Sequence, residues 1–159
     1  MADKVAANRD SVDAITEALL TVSRLLVGIS ARSIEDVDEH LTIPQFRALV
    51  TLSQKGSINL ATFAELLEVK PSAAGRMVDR LVAAGLIDRR PHPTSRRELL
   101  VVLSPQGRKV LRQVITRRRK VIADIVENMP TSDRRGLARG LTAFAVAGGE
   151  SSLVFEDEL

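Results

Sequence analysis

The sequence contains no cysteine, no tryptophan and no tyrosine, and its 3% aromatic share comes from four phenylalanines. Without cysteine there are no disulfides, no thiolate metal centres and no thiol redox switch. With so few rings, the stacking platforms on which single-stranded nucleic acids are held are missing. No uninterrupted apolar run approaches the roughly 18 residues of a membrane helix, and the opening MADKVAANRDSVD lacks the apolar centre of a secretory leader. The expectation is a cytoplasmic protein with no membrane association. No G-x-x-x-x-G-K, G-x-S-x-G or H-E-x-x-H motif occurs, and neither histidine lies in an apolar setting that would tune a base. That pattern predicts no enzyme and no cofactor. His40 stands beside Asp36, Asp38 and Glu39, but one histidine without regular ligand spacing reads as a solvated loop and not as a metal site. The closing Glu-Asp-Glu-Leu resembles a retention signal; with no leader ahead of it, it reads as an acidic tail.

What is present is a chain of 159 residues, 45% hydrophobic and 27% charged, enough to bury a core. Its net charge of +3 hides a segregation: residues 70–120 carry 14 Lys/Arg against 3 Asp/Glu, and the remainder carries 9 against 17. Such a division marks one surface for a polyanion. The consecutive Arg117-Arg118-Arg119-Lys120 must point around much of a helix, so its members cannot all face one partner.

Periodicity organises the rest. Val12, Ile15, Leu19, Val22, Leu26 and Ile29 step by three and four, predicting a long amphipathic helix to about Ile34. Thr42 and Gln45 form a capping box, and Gly56 ends the helix they start. Asn59 caps a third helix, and Glu68-Val69-Lys70 turns into a fourth beginning at Pro71. Two short helices joined by a three-residue turn form a helix-turn-helix. In the fourth helix Ala74, Met77, Val78 and Leu81 share the inward face; Ser72, Arg76 and Asp79 share the outward one, flanked by Ala73 and Arg80. A small polar face with one long cation suits close approach to base edges in a major groove, with Arg76 the first choice for a bidentate contact to guanine. Lys70, Ser72, Ala73 and Arg80 are the accompanying base or phosphate contacts, Arg80 alternatively pairing with Asp79 or Asp88. Gly85 stops the helix, and Leu86 to Leu103 form a hairpin with a basic turn, a wing carrying Arg89, Arg90, Arg96 and Arg97. Ser104-Pro105 starts a helix of about 25 residues, and Pro130 to Asp133 stop it and cap a last helix with Leu137, Leu141, Phe144 and Ala145 inward. The apolar stripes of the terminal helices (Val12, Ile15, Leu19, Ile122, Leu137, Leu141 and Phe144) exceed what the centre can cover, which predicts a two-fold dimer.

The ordered set Leu41-Thr42…Gln45-Phe46, Val78-Asp79-Arg80-Leu81, Gly85-Leu86-Ile87, Arg96-Arg97 and Leu103-Ser104-Pro105-Gln106-Gly107 resembles the MarR family (multiple antibiotic resistance regulators) in motif detail over roughly residues 40–112. The resemblance implies a mainly α (α+β) fold, a winged helix-turn-helix with flanking dimerisation helices, about six helices and a small β-wing. Residues 1–37 would be the N-terminal dimerisation helix, 38–104 the DNA-binding domain, 105–149 the C-terminal dimerisation helices and 150–159 a loose acidic tail. It implies a homodimer on a pseudo-palindromic double-stranded operator, with a wing arginine in the minor groove, acting as a repressor released by a small aromatic or lipophilic effector. A pocket for that effector would draw on Leu25, Leu26, Ile29, Phe46, Val110 and Val114, with Arg47 or Arg32 meeting an anion. Two positions depart from the family pattern: Ser95 stands where the wing carries aspartate, with Glu98 the alternative brace, and Lys70 where serine caps the recognition helix. A DNA-binding activator or architectural factor without small-molecule input, or a protein–protein winged-helix module, remain the alternatives.

Overall fold

The computed structural model describes residues 11–95 and 98–149. Among these the chain forms α1 (Val12–Glu35), α2 (Ile43–Lys55), β1 (Ile58–Asn59), α3 (Leu60–Leu67), α4 (Pro71–Ala83), β2 (Ile87–Pro91), β3 (Leu99–Leu103), α5 (Pro105–Glu127) and α6 (Thr131–Ala147). The strands make one antiparallel sheet in the order β1-β3-β2, with Ile58 opposite Val101, Ile87 opposite Leu103 and Pro91 opposite Leu99. This is the expected winged helix-turn-helix with helices on either side.

Local chemistry accounts for most boundaries. Ser11 Oγ accepts the Ala14 N–H at 3.2 Å, Thr42 and Gln45 close a reciprocal capping box, and Asn59 Oδ1 accepts the Thr62 N–H at 2.9 Å. Gly85, at φ 71°, ends α4: its N–H reaches the Val82 carbonyl and the Leu86 N–H reaches the Leu81 carbonyl, each at 2.9 Å. The turn between α3 and α4 makes the same pair of bonds without glycine, on Glu68 at φ 56°. One expectation fails. The start of α6 has Pro130 as its cap residue and no side-chain cap, because Thr131, Ser132 and Asp133 already lie inside the first turn. Asp133 there still complements the helix dipole.

A single buried cluster runs through the centre of the chain, built on Leu49, Leu52, Phe63, Val78, Leu81 and Ile87. It also takes in Ile34 at the end of α1 and Val110, Leu111 and Val114 of α5. The reading head and the first half of α5 are therefore one packed body, and residue 104 is not a packing boundary. Ser104 shows how the join is made: its buried hydroxyl donates to the Gly85 carbonyl at 2.7 Å and accepts the Gly107 N–H at 2.9 Å. Ser104→Ala would orphan both groups, and about 2 kcal/mol of stability should be lost in denaturant unfolding.

Outside this cluster Ile29 is buried, but many large apolar side chains on the terminal helices are exposed among the described residues. Along α1, Val12 is 80% exposed and Ile15, Leu20, Leu25 and Val27 are also open. On α6, Leu137, Leu141 and Phe144 of the face expected to point inward are exposed among the described residues, as is Val146. An 18-residue stretch within α1 is long and apolar enough, by composition alone, to cross a membrane, a property that uninterrupted runs do not register. Asp13, Glu17, Arg24 and Arg32 interrupt it.

Candidate nucleic-acid interface

Helix α4 presents the site. Ala74, Val78 and Leu81 are buried, and the exposed face carries Ser72, Arg76, Asp79 and Arg80, with Ala73 half-buried at its flank. Lys70 occupies the cap position in an extended conformation and makes no side-chain cap bond. With Pro71 bringing no N–H and the Ala73 N–H donating to the Lys70 carbonyl at 2.9 Å, the first turn leaves the Ser72 N–H to solvent or to a phosphate oxygen.

The wing is braced from an unforeseen direction. The Arg89 guanidinium on β2 hydrogen-bonds the Asp79 carboxylate on α4, tying the recognition helix to the wing. Arg89 is thus engaged in the wing's own scaffold, and Asp79 is not the partner of Arg80. Among the described residues neither Arg80 nor Arg90 has an ion-pair partner, and both are exposed. Arg96 and Arg97 lie outside the described residues. Near the tip the His92 N–H donates to the Glu98 carbonyl at 3.1 Å and the Thr94 N–H donates to His92 Nδ1 at 3.2 Å, so His92 shapes the turn. Glu98 contributes its backbone there, and its side chain is exposed.

The base of the head is held by close approach. A Cβ on Gly107 would stand 2.0 Å from the Leu86 carbonyl oxygen, so α5 passes the β2 entry at a distance only glycine permits. Arg108 adds a bond to the Leu103 carbonyl at 2.9 Å. Further along α5, Arg117 donates through Nε and a terminal nitrogen to Asp36 Oδ2, each at 2.7 Å, linking the end of α1 to α5 across 81 positions.

The residues named for an effector pocket are dispersed. Phe46, Val110 and Val114 sit in the central cluster, Ile29 is buried, and Leu25 and Leu26 are exposed on α1. Arg47 stands on the outside of α2, 3.9 Å from Glu68. Four open clefts on the described surface are lined by none of Leu25, Leu26, Phe46, Arg47, Val110 and Val114. One of them, about 290 Å³ between α1 and α5, does include Ile29 and Arg32, with Ser33, Lys120, Val121, Asp124 and the Asp36–Arg117 pair.

Residues 41–99 match the model of the MarR family. A solved structure, RV1404 from Mycobacterium tuberculosis, is 66% identical in sequence, with a TM-score of 0.81 over 91% of this chain and 98% of that one. The HTH-type transcriptional regulator YhbI of Bacillus subtilis (strain 168) is 28% identical over 141 residues, 86% of this chain and 92% of its own. The HTH-type transcriptional repressor MdtR of the same organism is 29% identical over 110 residues, 69% of this chain and 71% of its own.

Proposed function

Since the chain belongs to the MarR family of winged-helix DNA-binding transcriptional regulators, we propose that it works as a cytoplasmic homodimer reading a pseudo-palindromic operator through α4. The observation that carries this reading is the solvent face of α4: small at Ser72 and Ala73, cationic at Arg76 and Arg80, and without the apolar anchors a protein partner would need. Arg76 reads a base; Lys70, Ser72, Ala73 and Arg80 contact base edges or phosphate. Arg90, with Arg96 and Arg97, serves the wing, and the Asp79–Arg89 pair fixes the wing against the helix it accompanies. The protein is not an enzyme.

The regulator acts as a repressor, a sign supported by the similarity to MdtR, and a small lipophilic anion releases it. The α1–α5 cleft sets apolar Ile29 and Val121 beside cationic Arg32; its carboxylates are Asp124 and Asp36, the latter paired with Arg117. Thermal unfolding with aromatic carboxylates added should show a raised midpoint for a ligand that binds the folded state alone.

Titration against the DNA upstream of the protein's own gene, at two salt concentrations, tests the central claim. Specific affinity with a steep salt dependence is expected, and binding indifferent to sequence would defeat the reading. Arg76→Ala should cost about 1–3 kcal/mol of operator affinity and relax the preference at one position in each half-site. Equal binding of this variant to operator and random duplex at the wild-type level would remove Arg76 from the base-reading role.

A further inference from the structure

Helix α5 carries a second basic surface that the recognition helix and wing do not use. Between Pro105 and Ala123 it has seven Lys/Arg and no Asp/Glu. One side of this stretch, at Gly107, Val110, Leu111 and Val114, is buried in the central cluster. On the helix wheel Lys109, Arg112, Thr116, Arg119 and Lys120 fall on the opposite side, and all five are exposed. Arg108 and Arg117 are engaged elsewhere, with the Leu103 carbonyl and with Asp36. None of Lys109, Arg112, Arg119 and Lys120 has an ion pair among the described residues. An open groove of about 700 Å³ is lined by Lys109, Arg112, Thr116 and Lys120 together with Asp36 and Val37.

We propose that this ladder is a second nucleic-acid contact, holding the phosphodiester backbone of the duplex outside the base pairs that α4 reads. The shape of the charge argues for a backbone. From Lys109 to Lys120 the helix axis advances about 16 Å, which matches the axial rise of about five base pairs of duplex and the reach of about two or three phosphates along one strand. A compact anion needs donors that converge, and these are strung in a line with Thr116 as a neutral donor among them. Across a two-fold axis the ladder of a second copy would meet this one with like charge, so the two ladders do not pack on each other. The ladder also begins two residues after Gly107, which is locked against Leu86 at the foot of the reading head. It is thus part of the body that already holds a duplex, and flanking DNA meets it at high local concentration.

The inference rests on the DNA-binding reading, and the test separates the two. The whole protein is titrated with a duplex of about 20 base pairs holding only the operator, and with the same operator extended by roughly 15 base pairs on each side. Wild type and Lys109→Ala/Arg112→Ala/Arg119→Ala are compared over a salt series and by hydroxyl-radical footprinting. On the short duplex the two proteins should match. On the long duplex the triple variant should bind at least tenfold more weakly at low salt, its log–log salt slope should fall by up to about 3 per protomer, and the protection of the flanks should vanish. Arg112→Lys/Arg119→Lys, which keeps the charges, should retain flank protection. Identical behaviour on the long duplex, an equal loss on both duplexes, or complexes that bridge two separate duplexes would each overturn the proposal. Wild-type protein that ignores the short duplex overturns the operator reading as well; wild type that binds it, with no variant effect on the long one, overturns the ladder alone.

Discussion

Gly107→Ala is expected to lower stability by about 3 kcal/mol, a fall of roughly 6–12 °C in the thermal midpoint. The reason is steric and local. The new methyl would arrive 2.0 Å from the Leu86 carbonyl oxygen and 2.9 Å from Leu103 Cδ1. That oxygen accepts the Ser104 N–H at 3.1 Å, and Ser104 in turn bridges Gly85 and Gly107. The helix cannot move aside without breaking this chain of bonds, and the neighbouring Val110 and Leu111 are held in the core. Because the damaged parts overlap, Gly107→Ala combined with Ser104→Ala should cost less than the two changes added together. Gly136→Ala gives the contrast. A Cβ there meets nothing within 4 Å in the chain, and in an isolated protomer the change should be neutral or mildly stabilising through helix propensity. A wild-type midpoint for Gly107→Ala would mean that α5 is free to slide, against the packing described.

The same region shows what a linear reading captures and what it passes over. Periodicity and caps carry the helices well, because an amphipathic stripe and a capping box are local properties. The αL glycine after α4 and the wing hairpin were legible for the same reason. The Asp79–Arg89 brace was not: many acids and bases lie within reach of one another in sequence, and only the placement of β2 against α4 selects this pair. Asp36–Arg117, joining elements 81 positions apart, is the same problem at longer range. The start of α6 misled because Thr, Ser and Asp are all good caps, and three in a row after proline left the register open. Of the residues expected around an effector, Phe46, Val110 and Val114 are buried in the central core. Of the site itself, α4 and its outward face follow from sequence spacing.

Leu141→Glu/Phe144→Glu should turn the protein into a monomer and abolish operator binding at concentrations where wild type is saturated. The two side chains are 44% and 58% exposed on α6, and Val12, Leu20 and Val27 are comparably open on α1. A soluble monomer seldom shows contiguous apolar surface on two long helices, and such surface marks an interface. A carboxylate placed on each side of a two-fold contact brings like charges together as well as removing apolar area, so the variant acts by repulsion and by lost burial. The folding of the reading head should survive, because neither residue belongs to the central cluster. The loss in binding follows from geometry. In the proposed dimer, two copies of α4 would lie at the spacing of successive major grooves, so the second half-site would be engaged as an intramolecular event. A separated protomer binds one half-site alone, which should weaken the operator complex by at least about 100-fold. Sedimentation and a gel-shift titration on the same samples decide the matter. Monomers that keep full operator affinity would show that one head suffices, and an unaltered dimer would move the interface to another face of the chain.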